Sequence, residues 1–215
     1  MFEVWGRPDS SAVARVMWTL GELELVSRRH DWGGTYGGND DPEYRKMQPA
    51  GRIPAVRLPS GESLWESATI VRYLASTHGE GRLVSADPVE KARSEAWMDW
   101  SSEFASAVNQ LRRAYRRTDA TEADIASAHR LAAPAFAVLD RALENRPFLM
   151  GDALSIADIS LGVWGHRFHR CPGAARPRGF EAIDAWLARL RERPAYLDHV
   201  VAHVSSRPQS IGMEV

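Results

Sequence analysis

Residues 51–75 read GRIPAVRLPSGESLWESATIVRYLA. The apolar runs Ala55–Leu58 and Ser63–Trp65 flank Pro59-Ser60-Gly61, so the spacing predicts two strands joined by a tight turn. From about Ser67 to Thr77 the period becomes helical. Two features ask for more than packing. Pro54 removes a donor where the first strand begins and holds Ile53 extended, which suits a strand start or an edge. A trans bond there is an ordinary strand start; a cis bond lets Ile53 offer its N–H and C=O to a peptide-like ligand beside the edge. The acidic and hydroxylic pair Glu66-Ser67 opens the helix.

Working outward, Phe2–Trp5 is a β-type run ending at Gly6. From Ser11, Val13, Val16, Met17 and Leu20 fall on one helical face, which Gly21 closes. A weaker strand is expected near Leu25–His30, a glycine-rich loop at GGTYGGNDDP, and a helical turn over Pro42–Met47. The order β-α-β-α-β-β-α describes a small α/β domain with a mixed sheet over residues 1–78. Residues 79–87 read as a linker. Beyond them, Val89 to Tyr115 carry a helical stripe of roughly 28 residues, about 40 Å of helix. Further helices are expected over Glu122–Leu143, with Pro134 kinking or breaking it, from about Ser155, and over Phe180–Glu192 and Ala195–Val204. Residues 88–205 therefore read as an all-helical domain.

The whole chain has 215 residues, 27 basic and 28 acidic, for a formal net charge of -1, so nothing draws it globally toward nucleic acid or anionic membrane. One cysteine, Cys171, allows neither an intrachain disulfide nor a Cys-x-x-Cys motif. No apolar run approaches the ~18 residues of a membrane span, and the N-terminus lacks the pattern of a secretory signal. The expectation is a soluble, cytoplasmic protein.

The backbone N–H groups that open the helix at Ser67 suit a carboxylate, yet Glu66 repels one. A ligand with an ammonium beside its carboxylate, such as an α-amino acid end, satisfies both. Plain capping of the helix is the alternative.

The run QPAGRIPAV followed by LWESATIVRYLA, Gln48 to Ala75, resembles the glutathione-site segment of glutathione S-transferases, NPxGxIPxL with ES-x-x-I-x-x-YL. WGRPDSSAVARVMWTLGELEL, Trp5 to Leu25, resembles that family's first strand, catalytic loop and first helix, and LSIADISLG, Leu154 to Gly162, its buried capping segment. The resemblance implies a thioredoxin-like N-terminal domain and an α-helical bundle. It implies that Ile53, through a cis peptide at Pro54, pairs with the cysteinyl backbone of glutathione. Glu66 and Ser67 then hold the γ-glutamyl amine and carboxylate, and Arg52 reaches the glycyl carboxylate.

Such an enzyme must supply a thiolate. A thiol of pKa ~8.5 is about 3% ionised at pH 7, and lowering it two units, ~2.7 kcal/mol, raises that to roughly three quarters. A hydroxyl at a helix N-terminus is one means. Ser10 matches the related pattern S-x-N-V-x-K-V through Val13, Arg15 and Val16, with Ser11 as a second donor candidate. Ala12 departs from the pattern, where relatives carry an asparagine. Capping of the first helix is the structural alternative for both serines.

Met98 and Trp164 are the candidates for an apolar electrophile pocket, with Trp97, Trp100 and Phe168 as further aromatic positions more in keeping with core. His166, His169 and Cys171 lack a fourth ligand and a zinc-type spacing, so no metal is expected. Arg112, Arg113, Arg116 and Arg117 suit the end of a helix and a solvated face. Ser155 and Asp158 form a capping-box pattern, for which loss of Asp158 predicts about 1 kcal/mol of destabilisation. The resulting expectation is conjugation of glutathione to small hydrophobic electrophiles by a homodimer, without nucleic-acid or membrane partners. Glutathione-dependent thiol or peroxide reduction, and a non-catalytic glutathione-binding or interaction protein, are the alternatives.

Overall fold

The computed structural model describes residues 1–170 and 179–204. Cys171 and the tail 205–215 lie outside the described residues.

The N-terminal residues build a four-stranded mixed sheet from β1 (Phe2–Trp5), β2 (Ser27–His30), β3 (Ala55–Arg57) and β4 (Ser63–Trp65), in the order β2-β1-β3-β4. β1 runs parallel to β2 and antiparallel to β3, which is antiparallel to β4. Around it lie α1 (Ser11–Glu22), α2 (Pro42–Met47) and α3 (Ser67–His78). The predicted stripe of α1 is its core face, with Val13, Val16, Met17 and Leu20 all buried. Asp41 starts α2 by accepting the Glu43 and Tyr44 N–H groups at 2.8 and 2.9 Å, with Pro42 in the first turn, where its missing N–H costs nothing. The glycine-rich segment is not wholly irregular, since Gly34–Tyr36 forms a 3-10 turn.

The helical part comprises α4 (Pro88–Arg116), α5 (Glu122–Leu143), α6 (Ile156–His169) and α7 (Glu181–Leu190). Phe104 of α4, Phe136 of α5 and Phe168 of α6 meet through its centre with their rings tilted, the centroids 5.0 and 4.5 Å apart. Pro134 does not break α5, which continues through it; the ring lies on the exposed face, where the missing N–H leaves a carbonyl that water can satisfy. The expected last helix is interrupted: a π-helical turn, Leu197–Val201, separates the helical turns Pro194–Tyr196 and Ala202–Val204.

Among the described residues two compact units result, one of residues 1–70 with 194–204, the other of residues 71–170 with 179–193. In the first, Tyr196 meets Trp18 edge-on at 4.7 Å, both fully buried, so the C-terminal segment is fastened to α1.

Candidate active site

Strand register decides which loops meet. His30, Trp5, Ala55 and Trp65 form one row across the sheet. Because β1, β2 and β4 end on that row while β3 begins there, the segments 6–10, 31–33, 52–54 and 66–67 all leave from the same end of the sheet. The register thus collects Ser10, Ser11, Arg52, Ile53, Pro54, Glu66 and Ser67, which lie far apart in the sequence, in one unit.

Ser10 occupies the N-cap of α1, 8% exposed, and its Oγ accepts the Val13 N–H at a long 3.5 Å. Among the described residues its O–H donates to nothing, so the hydroxyl hydrogen remains available to an acceptor. Ser11 is the first residue of α1 and equally buried. Beside them Arg7 Nε pairs with Asp9 Oδ1 at 2.9 Å.

The Ile53–Pro54 peptide is cis. The segment before it is clamped by residues that the sequence reading passed over. Asn39 Nδ2 donates to the Gly51 carbonyl at 2.7 Å and the Tyr44 hydroxyl to the Arg52 carbonyl at 2.5 Å. Gly51, with φ 63, adopts a backbone that side chains disfavour. Gly33, with φ 78, leaves space for Ile53; a Cβ there would stand 3.0 Å from Ile53 Cγ2 and from Asn39 Oδ1. Burial pushes the Tyr44 phenol up to about 12, so it remains a donor throughout the accessible pH range. Only the asparagine in a glycine-rich loop and an aromatic in a six-residue helix hinted at these roles.

The two nearby arginines differ in commitment. Arg45 pairs with Asp40 at 2.5 Å. Arg52 is exposed and its guanidinium meets no carboxylate among the described residues, which leaves a cation next to Ile53.

Glu66 has φ 63, a left-handed conformation rare for a residue with a side chain. Its carbonyl accepts the Ile70 N–H at 2.9 Å, so it stands immediately before the first turn of α3. The N–H groups of that turn have no intrahelical acceptor and carry the positive end of the helix dipole. Ser67 is buried in this turn, whereas the Glu66 carboxylate is exposed, so an anionic group and a cationic group can be held side by side.

In the second unit, Met98 is 2% exposed and Phe168 is buried. Trp164 is half-buried, with the Arg167 guanidinium 5.8 Å from its ring centroid. Trp97 and Trp100 meet edge-on at 5.4 Å, and Trp100 stacks on Phe104. Among the described residues, no group of three or more His, Cys, Asp or Glu is placed to hold a metal ion, and no helix is long and apolar enough to cross a membrane.

Comparison with known proteins gives a consistent match. The family model "Glutathione S-transferase, N-terminal domain" matches residues 5–82, and "Glutathione S-transferase, C-terminal domain" matches residues 95–189. Glutathione S-transferase GstB of Escherichia coli is 32% identical over 210 residues, 95% of this chain and 100% of the relative. Disulfide-bond oxidoreductase YfcG of Escherichia coli is 31% identical over 173 residues, 74% of this chain and 76% of that protein. The crystal structure of a theta class glutathione S-transferase from Xanthomonas axonopodis pv. citri, with glutathione bound, superposes with a TM-score of 0.83 at 35% identity, covering 94% of this chain and 98% of that one.

Proposed function

Starting from a chain that belongs to the glutathione S-transferase family, we propose that it binds glutathione at the common end of its sheet and conjugates it to small hydrophobic electrophiles. The observation that carries this reading is the convergence of Ser10, Ile53 and Glu66-Ser67 on that end through the strand register. Its support from outside is the similar theta class structure with glutathione bound.

In this reading residues 1–78 hold glutathione, residues 88–205 supply the electrophile pocket, with Trp164 and Met98 as its candidates, and 79–87 link the two. The γ-glutamyl carboxylate sits on the first turn of α3 and Ser67, and its ammonium on Glu66. The Ile53 backbone pairs with the cysteinyl residue, and Arg52 takes the glycyl carboxylate. Ser10 donates its O–H to the sulfur, aided by the N-terminus of α1, which stabilises the thiolate over the thiol. Ser11 is a second donor. The thiolate attacks the electrophilic carbon, the carbon–sulfur bond forms, and the leaving group departs with its electron pair. A cytoplasmic homodimer is the expected form, with neither nucleic acid nor membrane as partner.

The similarity to a disulfide-bond oxidoreductase favours a second reading, glutathione-dependent thiol chemistry. Ala12 belongs to the same question, because it leaves the sulfur without the amide that the related pattern supplies; a non-catalytic glutathione-binding protein is the limiting case.

Ser10→Ala, assayed by steady-state conjugation of glutathione to an aryl halide and by the ultraviolet absorbance of bound thiolate from about pH 5 to 9, separates these readings. Conjugation by Ser10 predicts a fall in kcat of about a hundredfold or more with near-normal glutathione affinity. Disulfide reduction without conjugation supports the second reading. Glutathione that binds but ionises only in its ordinary range removes Ser10 from activation.

A further inference from the structure

The loop that carries Ser10 begins at Gly6, and its ends are tied to each other. The Ser10 N–H donates to the Arg7 carbonyl at 3.3 Å, and the Arg7–Asp9 pair closes within the loop. Gly6 lies against the first turn of α1: a Cβ there would stand 2.3 Å from Val13 Cγ2, and Val13 is the residue whose N–H reaches Ser10 Oγ. These contacts make the loop and the start of α1 one piece. The apolar face of α1 holds that piece on the sheet, but apolar contact has no direction of its own, so fine placement falls to polar contacts.

Residues of β2 supply them. The Gly6 N–H donates to the His30 carbonyl at 3.0 Å, which extends the parallel ladder one residue past Trp5. Arg29, the register partner of Val4, reaches along the strand, and its Nη1 donates to the Gly6 carbonyl at 2.8 Å. The same nitrogen donates to Asp31 Oδ1 at 2.6 Å, so both of its hydrogens are committed. Side chains two apart along an extended chain share a face, and the carboxylate thereby aims the guanidinium at Gly6. The Arg29 side chain is 22% exposed and that of Asp31 47%.

Asp31 also opens the segment that ends at Gly33 against Ile53. Arg29 and Asp31 therefore join the loop bearing Ser10 to the segment packed on Ile53. In the reading above, Ile53 fixes the cysteinyl backbone and with it the sulfur, while Ser10 supplies the hydroxyl that meets it. The gap between sulfur and hydroxyl is set by how these two segments are tied together. A hydrogen bond is sensitive to such a gap, and a misplacement of about 1 Å can cost about a hundredfold in rate.

We propose that Arg29, braced by Asp31, is a positioning residue for thiolate formation: through the Gly6 carbonyl it sets the Ser10 hydroxyl at the distance from which it donates to the glutathione sulfur. This rests on the glutathione reading of the site. Arg29 itself touches neither glutathione nor electrophile in this arrangement.

Arg29→Met keeps the stem and removes the donor. The ultraviolet absorbance of bound thiolate against pH, calorimetric titration with glutathione and steady-state conjugation to an aryl halide test it in the full chain. Thiolate formation should move up by about one pH unit and kcat should fall about tenfold, with glutathione Kd changed less than about twofold. Arg29→Lys, which keeps a long cationic donor, should recover about half of the shift. Asp31→Asn, a change on an exposed side chain, should move both quantities the same way by a few-fold, and it carries the test if Arg29→Met does not fold. Adding Arg29→Met to Ser10→Ala should cause little further loss, because both act through one hydroxyl. An ion pair that serves stability alone lowers the melting temperature and leaves the thiolate profile and kcat of the folded protein in place; that result overturns the assignment. So does a loss confined to glutathione Kd, or a full additional loss in the double variant. If Ser10→Ala itself leaves the thiolate profile unchanged, the reading of Ser10 falls and this inference with it. If Ser10→Ala shifts the profile while Arg29→Met and Asp31→Asn do not, the inference falls alone.

Discussion

The indole Nε1–H of Trp186 donates to Asp158 Oδ1 at 2.9 Å, joining the middle of α7 to the first turn of α6, with both side chains fully buried. The same carboxylate accepts the Leu149 N–H at 3.0 Å, the Ser155 N–H at 2.9 Å and the Ser155 hydroxyl at 2.7 Å. Burial pushes the Asp158 carboxyl up, and these donors act against it. A capping box accounts for only the two bonds to Ser155. Asp158→Ala also orphans a buried indole N–H and a buried backbone N–H, so the expected loss rises from about 1 to about 3 kcal/mol. Thermal melting should show a fall of roughly 6–12 °C, with glutathione affinity unchanged in the material that remains folded. A fall of only a degree or two would reduce Asp158 to a surface-type cap.

His166 is 2% exposed. Burial first, and then the positive charges of Arg191, Arg170, His169 and Arg167, pull its pKa down from 6.5 to about 4. The unfolded chain takes up this proton near pH 6.5 and the folded chain only near 4, so the unfolded state binds more protons between these values. The contribution is complete above about pH 6.5 and is lost as pH falls toward 4, by roughly 3 kcal/mol. Melting temperatures from pH 7.5 to 4.5 should fall less steeply for His166→Gln than for the parent chain. Parallel profiles would assign the acid sensitivity to other groups.

Tyr44→Phe removes the hydroxyl that donates to the Arg52 carbonyl and leaves the ring, which lies 5.2 Å from Trp32. One buried hydrogen bond predicts a loss of about 1 kcal/mol. If residues 52–54 hold glutathione, the freed segment should also raise its Kd several-fold while leaving kcat nearly unchanged. Calorimetric titration with glutathione, alongside melting, checks both; an unaltered Kd with lowered stability would make Tyr44 a purely structural clamp.

Glu66→Gly relaxes a φ of 63 and at the same time removes the carboxylate. Glycine accepts this conformation without steric cost, so stability should hold or rise by up to about 1 kcal/mol. Loss of the ammonium partner should weaken glutathione binding by about tenfold or more. Gain in stability with loss of affinity is the signature of a strained binding residue. Tight binding by the glycine variant would leave Glu66 as a helix-start residue alone.

What the sequence by itself determined lies in short-range pattern. The short β-type runs placed β1 and β4, the helical stripes placed α1 and the bounds of α5, and the helical turn over Pro42–Met47 placed α2, because such patterns depend on neighbours within a turn or two; the caps Asp41 and Asp87 appear only in the structure. The run around Ile53-Pro54 and Glu66-Ser67 was visible for the same reason. Only the tertiary structure decided the row His30–Trp5–Ala55–Trp65, which carries distant loops to one end of the sheet. It alone decided the isomer at Pro54, the grip of Asn39 and Tyr44 on the Gly51–Arg52 backbone, and the bond from Trp186 to an aspartate 28 positions earlier. It also carried α5 through Pro134 and turned the last helix into a π-helical turn where Gly21 admits His199. These depend on which surfaces meet after the chain has folded back on itself, and a local window contains no record of the partner.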